Sequence, residues 1–343
     1  VFERVGDLGL RDQHPGPGPA QRQLSAGPLV AGPGITQHLE TLDHEQLLVR
    51  RGRRSGLYTL VAVHSTIRGP SLGGCRFWSY DDSRAAVRDA LRLSRAMTYK
   101  AAVADLKLGG GKGVIMAPVG RRMTPADRHA VLFDFADAVE LLAGAYITAE
   151  DVGTSSRDMS AIATRTRFVA GLSRRRGGSG DPSPWTALGV EVGIRACCSR
   201  VFGSESLAGR TVCVVGLGHV GARVARRVAR GGARLVVSDV DPRKRDLAAS
   251  LGARWVAPAA AMAVDADVLA PCALGAVLDE ETVPALRCPI VAGAANNQLA
   301  DERVADVLAA RGILWAPDFV TNAGGIINIS VEFEPGGYDP SIA

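Results

Sequence analysis

Residues 211–239 read TVCVVGLGHVGARVARRVARGGARLVVSD. TVCVV is a β-branched run of the kind that forms a buried strand, and the glycines after it make a turn. Within Gly216-Leu217-Gly218-His219-Val220-Gly221, Gly216 permits the tight turn and Gly218 lets a pyrophosphate approach the backbone. Gly221 allows the following helix to pack closely on the strand. HVGARVARRVARGG has a helical pattern, so free N–H groups and the positive end of a helix dipole face the turn. RLVVSD supplies a second strand that ends in Asp239, 18 residues after Gly221. A carboxylate there accepts from ribose hydroxyls. Strand, glycine turn, helix, strand and terminal acid together predict a nicotinamide dinucleotide site. Asp239 would repel a 2′-phosphate and so favours NAD over NADP, and Arg243 and Lys244 close behind soften that preference.

The alternation continues on both sides. TALGVEVGIRACCSRVFG (186–203) is a long helical pattern upstream, and PRKRDLAASLG (242–252) is a helix downstream. Asp267–Pro271, Pro289–Gly293 and Ile313–Ala316 are further buried strand candidates. Strands and helices alternating with short connections predict an α/β fold whose C-terminal Rossmann domain has a doubly wound, mostly parallel sheet. Gly177–Pro184 is rich in Gly, Ser and Pro and reads as a linker. Residues 1–34, rich in Pro, Gly, Gln and Arg, predict a flexible extension. The division read from the sequence is therefore 1–34 extension, 35–170 α/β substrate-binding domain, 171–325 dinucleotide-binding domain and 326–343 return segment.

In the first half, Gln46–Val49 and Leu57–Val63 flank the polar turn RRGRRSG and predict a hairpin. HSTIRGPSLGGCRFW (64–78) reads as a loop in which Gly73 and Gly74 allow close backbone approach. Asp82 or Ser83 caps a helix with Val87, Ala90, Leu91, Ser94 and Met97 on its inward face, and this helix delivers Lys100. MTYKAAVADLKLGGGK (97–112) closes on Lys112 directly after three glycines, which reads as a turn before a strand VIMAPV. A lysine in a dry, crowded place beside another cation loses its proton easily, and a neutral amine is a general base near neutral pH. Thr124-Pro125 opens another helix with Leu132, Phe135, Val139 and Leu142 on one face. AYITAEDVGTS (145–155) is a strand entering a loop that carries Glu150 and Asp151.

The totals bound these readings. A chain of 343 residues holds two domains, and 47% apolar with 5% aromatic residues suits helices packed closely on a parallel sheet. The net charge of +5 comes from arginines spread along the chain. Their densest run, Arg174–Arg176, has no aromatic platform beside it, which argues against a nucleic-acid groove. No apolar run reaches membrane-spanning length. The six cysteines (Cys75, Cys197, Cys198, Cys213, Cys272 and Cys288) form no CxxC pair and read as reduced thiols of a cytoplasmic protein. His14, His38, His44, His64, His129 and His219 form no HxxxH or similar pair, so no metal is assigned. A chain that starts at Val1 rather than Met is expected of a fragment or processed form.

GPSLGGCRFW, RAMTYKAAVADLKLGGGKGVI, YITAEDVGTS, GGSGDPSPWTALGV, GLGHVG, APCALG, VAGAANNQLA and APDFVTNAGGIIN follow one another from about residue 45 to 330. In this order they resemble the amino-acid dehydrogenase family that includes leucine, valine, phenylalanine and glutamate dehydrogenases, most closely its branched-chain and aromatic members. The resemblance implies that Lys100 binds the substrate α-carboxylate with Gly73 and Gly74 against it, that Lys112 is the catalytic lysine, and that Asp151 relays protons and holds the α-amino group. Thr186, Asn296 and Asn322 are implied to meet the nicotinamide and ribose end of the cofactor, with Ala273 beside them and Asn322 also facing the substrate. The implied reaction is reversible NAD-dependent oxidative deamination of an amino acid to its 2-oxo acid and ammonia, in a homo-oligomer.

Leu72 stands where the glutamate-specific members carry a lysine, so a substrate carboxylate would be buried without a counter-charge. Ala149, Ile326 and Ile329 are the other implied pocket positions, all apolar. Two isoleucines narrow the pocket and favour leucine, valine or isoleucine, with phenylalanine or tryptophan as the alternative. A non-catalytic NAD-binding protein is the reading from a different class. Departures from the family pattern are ISVEFEPGGYDPSIA after Asn328, Trp185 beside Thr186, and an end at Ala343 where family members carry a further helical segment. Arg54 and Arg68 read as surface charges.

Overall fold

The computed structural model describes residues 42–120 and 123–343; the extension predicted over 1–34 lies outside the described residues. Strands β1 (Gln46–Arg51) and β2 (Tyr58–Ser65) form the predicted antiparallel hairpin. SLGGCRFW is not loop but strand β3 (Ser71–Trp78), and α1 (Ser83–Val103) follows it. The glycines before Lys112 are likewise not a turn: they begin strand β4 (Gly109–Met116). Helix α2 (Pro125–Glu140), strand β5 (Tyr146–Glu150) and helix α3 (Ser156–Ile162) complete this half. The sheet order is β1-β2-β4-β3-β5, with β3 parallel to both β4 and β5.

Glycine normally weakens a strand, so its abundance here needs a packing reason. A Cβ on Gly73 would stand 1.7 Å from the Gly111 carbonyl oxygen, and one on Gly110 would stand 2.1 Å from the Thr98 nitrogen of α1. On Gly113 it would meet the Phe135 ring at 2.5 Å. The sheet and its helices thus approach more closely than side chains permit. This also corrects the inward face of α1. Ala86, Ala90, Leu93, Ser94, Lys100 and Ala101 are buried, whereas Val87, Leu91 and Met97 are only partly covered. The helix lies backbone-close to β4 at Ser94 and Thr98, so small residues take the centre of the face and larger ones its edges. Asp82 is the cap, accepting from the Ala85 N–H at 2.7 Å.

Helix α2 opens with a capping box between Thr124 and Asp127 and buries Leu132, Phe135 and Val139 as predicted. It also buries Asp134, which accepts from the Arg54 and Ser55 backbone N–H groups, the Ser55 hydroxyl and the Arg54 guanidinium. Arg54 is therefore not an idle surface charge: it ties the β1–β2 turn to α2. Arg68 does remain exposed, paired with exposed Asp105 at 2.6 Å.

The second half is built on α4 (Ser183–Phe202), β6 (Thr211–Val215), α5 (Gly221–Arg230), β7 (Arg234–Ser238), α6 (Arg245–Ser250) and β8 (Arg254–Trp255). It continues through α7 (Pro258–Ala261), β9 (Val268–Pro271), β10 (Ile290–Val291), α8 (Val304–Ala310), β11 (Leu314–Trp315), α9 (Asp318–Thr321) and α10 (Gly324–Ser330). The strand order β8-β7-β6-β9-β10-β11 is parallel throughout and reverses at β6, the doubly wound order of a dinucleotide-binding sheet. Val212 and Val214 of β6 face one buried apolar layer with Val190, Ile194 and Val224, while Cys213 faces another with Val236, Leu269 and Leu308. Both faces are covered, which explains the run of β-branched residues without alternation.

Two details differ from the sequence reading. Strand β8 was not foreseen, because two residues carry no period. The stretch 177–184 read as a linker is partly packed: Gly178 and Ser179 are buried, Gly177 and Asp181 are exposed, and α4 begins inside it at Ser183. A Cβ on Gly178 would lie 2.3 Å from the Leu172 carbonyl oxygen, so its composition reflects tight packing. No helix among the described residues is long and apolar enough to cross a membrane.

Candidate active site

Lys112 lies on β4 and Asp151 just past the end of β5, on opposite sides of β3. They meet because β3 has no side chains between them. A Cβ on Gly74 would stand 2.7 Å from the Asp151 Cβ. Lys112 Nζ donates to Asp151 Oδ2 at 2.7 Å, and Lys112 is buried. Arg76 Nε donates to the same oxygen at 3.0 Å, while its NH1 reaches Asp89, which also accepts from the Tyr80 hydroxyl. Burial lowers the Lys112 pKa below its ordinary value; Asp151 opposes this and Arg76 adds to it. Burial alone would raise Asp151, but the Lys112 and Arg76 cations outweigh it and hold the carboxyl below the usual range. A buried amine of reduced basicity, set against a carboxylate that stays ionised, can take up a proton and hand it on.

Lys100, on the buried face of α1, crosses to the second half, donating to Asn296 Oδ1 at 3.3 Å. Burial lowers its pKa to about 8, opposed by Asp318 and helped by Lys112. Asn322 donates to the same Asn296 oxygen at 2.9 Å and to the Ala294 carbonyl at 3.0 Å. Its own Oδ1 is buried without a partner. A buried amide oxygen in that condition is costly unless a ligand donor reaches it. Leu72, Ala149, Ile326 and Ile329 share one buried apolar cluster with Ala101, Leu108 and Ala170. The four positions come from β3, β5 and α10, so residues more than 250 apart in sequence form one surface.

The turn after β6 has the shape read from its glycines. Gly216 has φ +98°, and a Cβ there would stand 2.7 Å from that of Ala273. On Gly221 a Cβ would lie 1.9 Å from the Gly216 carbonyl oxygen, whereas on Gly218 it would project into open space. Exposed His219 and half-buried Val220 lead into α5, whose first turn has no side-chain cap. No side chain therefore competes for an anion at this helix start, although the Ala222, Arg223 and Val224 N–H groups already donate to the Gly218 and Val220 carbonyls. Asp239 accepts from the Leu217 N–H at 2.5 Å and the Asp241 N–H at 2.8 Å, so its carboxylate is fixed beside the turn. Arg243 pairs with Asp241 rather than reaching Asp239. Thr186, near the start of α4, donates to the Pro182 carbonyl and lies against Gly325. The open face of Gly218, the uncapped helix and the unpaired Asn322 oxygen fit a dinucleotide.

Two family patterns match the chain. "Glu/Leu/Phe/Val dehydrogenase, dimerisation domain" covers residues 45–168, and "Glutamate/Leucine/Phenylalanine/Valine dehydrogenase" covers 239–335. Leucine dehydrogenase of Thermoactinomyces intermedius is 44% identical over 300 residues, 87% of this chain and 81% of its own length. The chain belongs to the Glu/Leu/Phe/Val dehydrogenase family. Valine dehydrogenase of Streptomyces albus is 42% identical over 88% of the chain and 82% of its own length. The solved structure of L-tryptophan dehydrogenase from Nostoc punctiforme superposes with a TM-score of 0.70 at 38% identity, over 90% of this chain and 86% of that one. This dehydrogenase is thus an oxidoreductase of the amino-acid dehydrogenase class. Sequence reasoning missed Arg76, Asp89, Tyr80 and Asp318 around its lysines. The only signal was charge at alternate positions: Arg76 lies two residues from Gly74 and so on the same face of β3.

Proposed function

We propose that this dehydrogenase catalyses the reversible oxidative deamination of a branched-chain L-amino acid with NAD. The carrying observation is the buried Lys100 and Lys112, with part-buried Asp151, beside the apolar Leu72, Ala149, Ile326 and Ile329 cluster. Lys100 holds the α-carboxylate near Gly73 and Gly74, which leave the backbone bare, and so orients Cα. Bound NAD supplies the hydride acceptor, which leaves an iminium at the substrate Cα. Lys112, neutral, takes a proton from the water that attacks this iminium. The ionised Asp151 relays that proton from the Lys112 ammonium to the departing amine, and the carbinolamine hydroxyl gives its proton back to Lys112 as ammonia leaves. Gly216, Leu217, Gly218, His219, Val220 and Gly221 hold the pyrophosphate, Asp239 the ribose, and Thr186, Ala273, Asn296 and Asn322 the nicotinamide end. Asp239 and the engagement of Arg243 with Asp241 favour NAD over NADP.

An aromatic substrate is the second reading, favoured by the likeness to L-tryptophan dehydrogenase. The proposal also includes a cytoplasmic homo-oligomer, supported by the matched dimerisation pattern, and the domain division at about residue 170. A panel of leucine, valine, isoleucine, phenylalanine, tryptophan and glutamate with NAD and NADP tests the reading. Highest kcat/KM with a branched-chain substrate and NAD supports it. NAD binding without turnover of any apolar amino acid would leave only a nucleotide-binding protein.

A further inference from the structure

Behind α1, away from the lysines, two imidazoles and a carboxylate converge. The β1–β2 hairpin pairs Gln46 with Val63, and this register sets His44, just before β1, beside His64 of β2. Their rings stand edge to face, 4.8 Å apart. Asp43 reaches both: Oδ1 is 3.2 Å from His44 Nδ1 and Oδ2 is 3.2 Å from His64 Nε2. Among the described residues this is the one group of three such side chains whose ligand atoms gather, all within 4.8 Å of one another.

The far side of each ring is already anchored. His44 Nε2 lies 3.0 Å from the Leu91 carbonyl oxygen and 2.9 Å from Ser94 Oγ. A carbonyl can only accept, so Nε2 carries the hydrogen and the neutral ring aims the lone pair of Nδ1 at Asp43. His64 Nδ1 lies 2.8 Å from Thr98 Oγ1, leaving Nε2 toward the carboxylate. His44 Nδ1 and His64 Nε2 are buried atoms without a hydrogen-bond partner, and both rings are about nine-tenths buried or more. The His44 lone pair faces a carboxylate oxygen across 3.2 Å, a repulsive contact unless a cation lies between them. Arg95 donates to Asp43 Oδ1 at 2.7 Å from the outer side, as the outer partners of ligating carboxylates do.

We propose that Asp43, His44 and His64 bind one divalent transition-metal ion, with water completing the coordination. Two imidazole nitrogens and one carboxylate select zinc, cobalt or nickel over magnesium or calcium. The site clamps the chain entering β1 and the end of β2 onto α1. Tyr99, which packs against His64, directly precedes Lys100. The spacing of the histidines concealed the site, because the hairpin rather than a helix brings them together.

The test uses chelator-treated, full-length protein titrated with Co2+ and Zn2+. One equivalent of Co2+ should bind with the visible absorption of a low-coordinate N/O site, without a thiolate charge-transfer band. Zn2+ at a hundredfold over its Kd should raise Tm by about 4 °C. Asp43→Asn, half-exposed and so tolerant of exchange, should weaken binding at least tenfold, and His44→Phe should abolish it. Absence of stoichiometric binding, an unmoved Tm, or Co2+ binding that persists in Asp43→Asn overturns the proposal. None of these readouts depends on turnover or on the substrate.

Discussion

Lys112 and Lys100 are both buried amines, but their surroundings separate them. Lys112 has a carboxylate at 2.7 Å, whereas Lys100 has only an amide oxygen at 3.3 Å. Lys112→Gln should therefore lower kcat by about 10²–10⁴ while leaving KM for the amino acid within a few-fold, measured by steady-state kinetics. A parallel loss in KM would move Lys112 from proton chemistry to binding. Lys100 should show itself through pH. Its pKa near 8 in the free protein means that the charge is present below that pH and lost above it. Binding of a carboxylate inhibitor should weaken by about tenfold per unit above pH 8 and level off below it. Lys100→Met should bind weakly with a flat profile over the same range. The lysine spacing and the glycines were legible from residue types alone. The direction of the Lys112 shift was not, because the burial that lowers it against Asp151, and the Arg76 charge that adds to it, exist only once β3, β4 and β5 are paired.

Strands β3 and β4 show where pattern reading stops. Their glycines signalled turns by every local rule, yet they form the centre of a sheet because neighbouring backbones occupy the space of the missing side chains. The second sheet was legible strand by strand, since β6, β7 and β9 are continuous apolar runs between helices; only the two-residue β8 escaped. The same glycine chemistry gives opposite predictions in the two halves. Gly73→Ala places a Cβ 1.7 Å from the Gly111 carbonyl oxygen, and neither strand can retreat without breaking the sheet. It should cost about 4 kcal/mol or more, read by denaturant unfolding or as insoluble protein. Gly218→Ala meets no atom within 4 Å and has no positive φ, so Tm should hold. Its methyl would occupy the approach to the backbone, and affinity for the dinucleotide should fall at least tenfold by calorimetry. If Gly218→Ala binds the cofactor normally, the pyrophosphate lies elsewhere.

The two sheets are joined by more than the chain between them. Glu332, in the departure ISVEFEPGG that the sequence reading could not place, accepts from the Ser179 N–H at 2.6 Å and the Gly171 N–H at 3.0 Å. It thereby fastens the segment following the first sheet to the one following the second. Nearby, the Tyr338 hydroxyl donates to Asn328 at 2.7 Å, and Arg174 stacks on the Tyr338 ring. Helix α10, directly before Glu332, carries Ile326 and Ile329 into the apolar cluster with Leu72. The fastening should therefore set both stability and the side-chain pocket. Glu332→Ala orphans two N–H groups, one on fully buried Ser179, at a cost of about 1–3 kcal/mol for each buried group left unpaired. At roughly 1.5 °C per kcal/mol for a chain of this length, Tm should fall by a few degrees. KM for the apolar substrate should rise more than kcat falls, because the isoleucines loosen while Lys112 and Asp151 stay on the first sheet. Glu332→Gln keeps an oxygen facing Ser179 and should recover most of both losses. A Glu332→Ala variant with lowered Tm but unchanged KM would make the contact a brace without influence on the pocket.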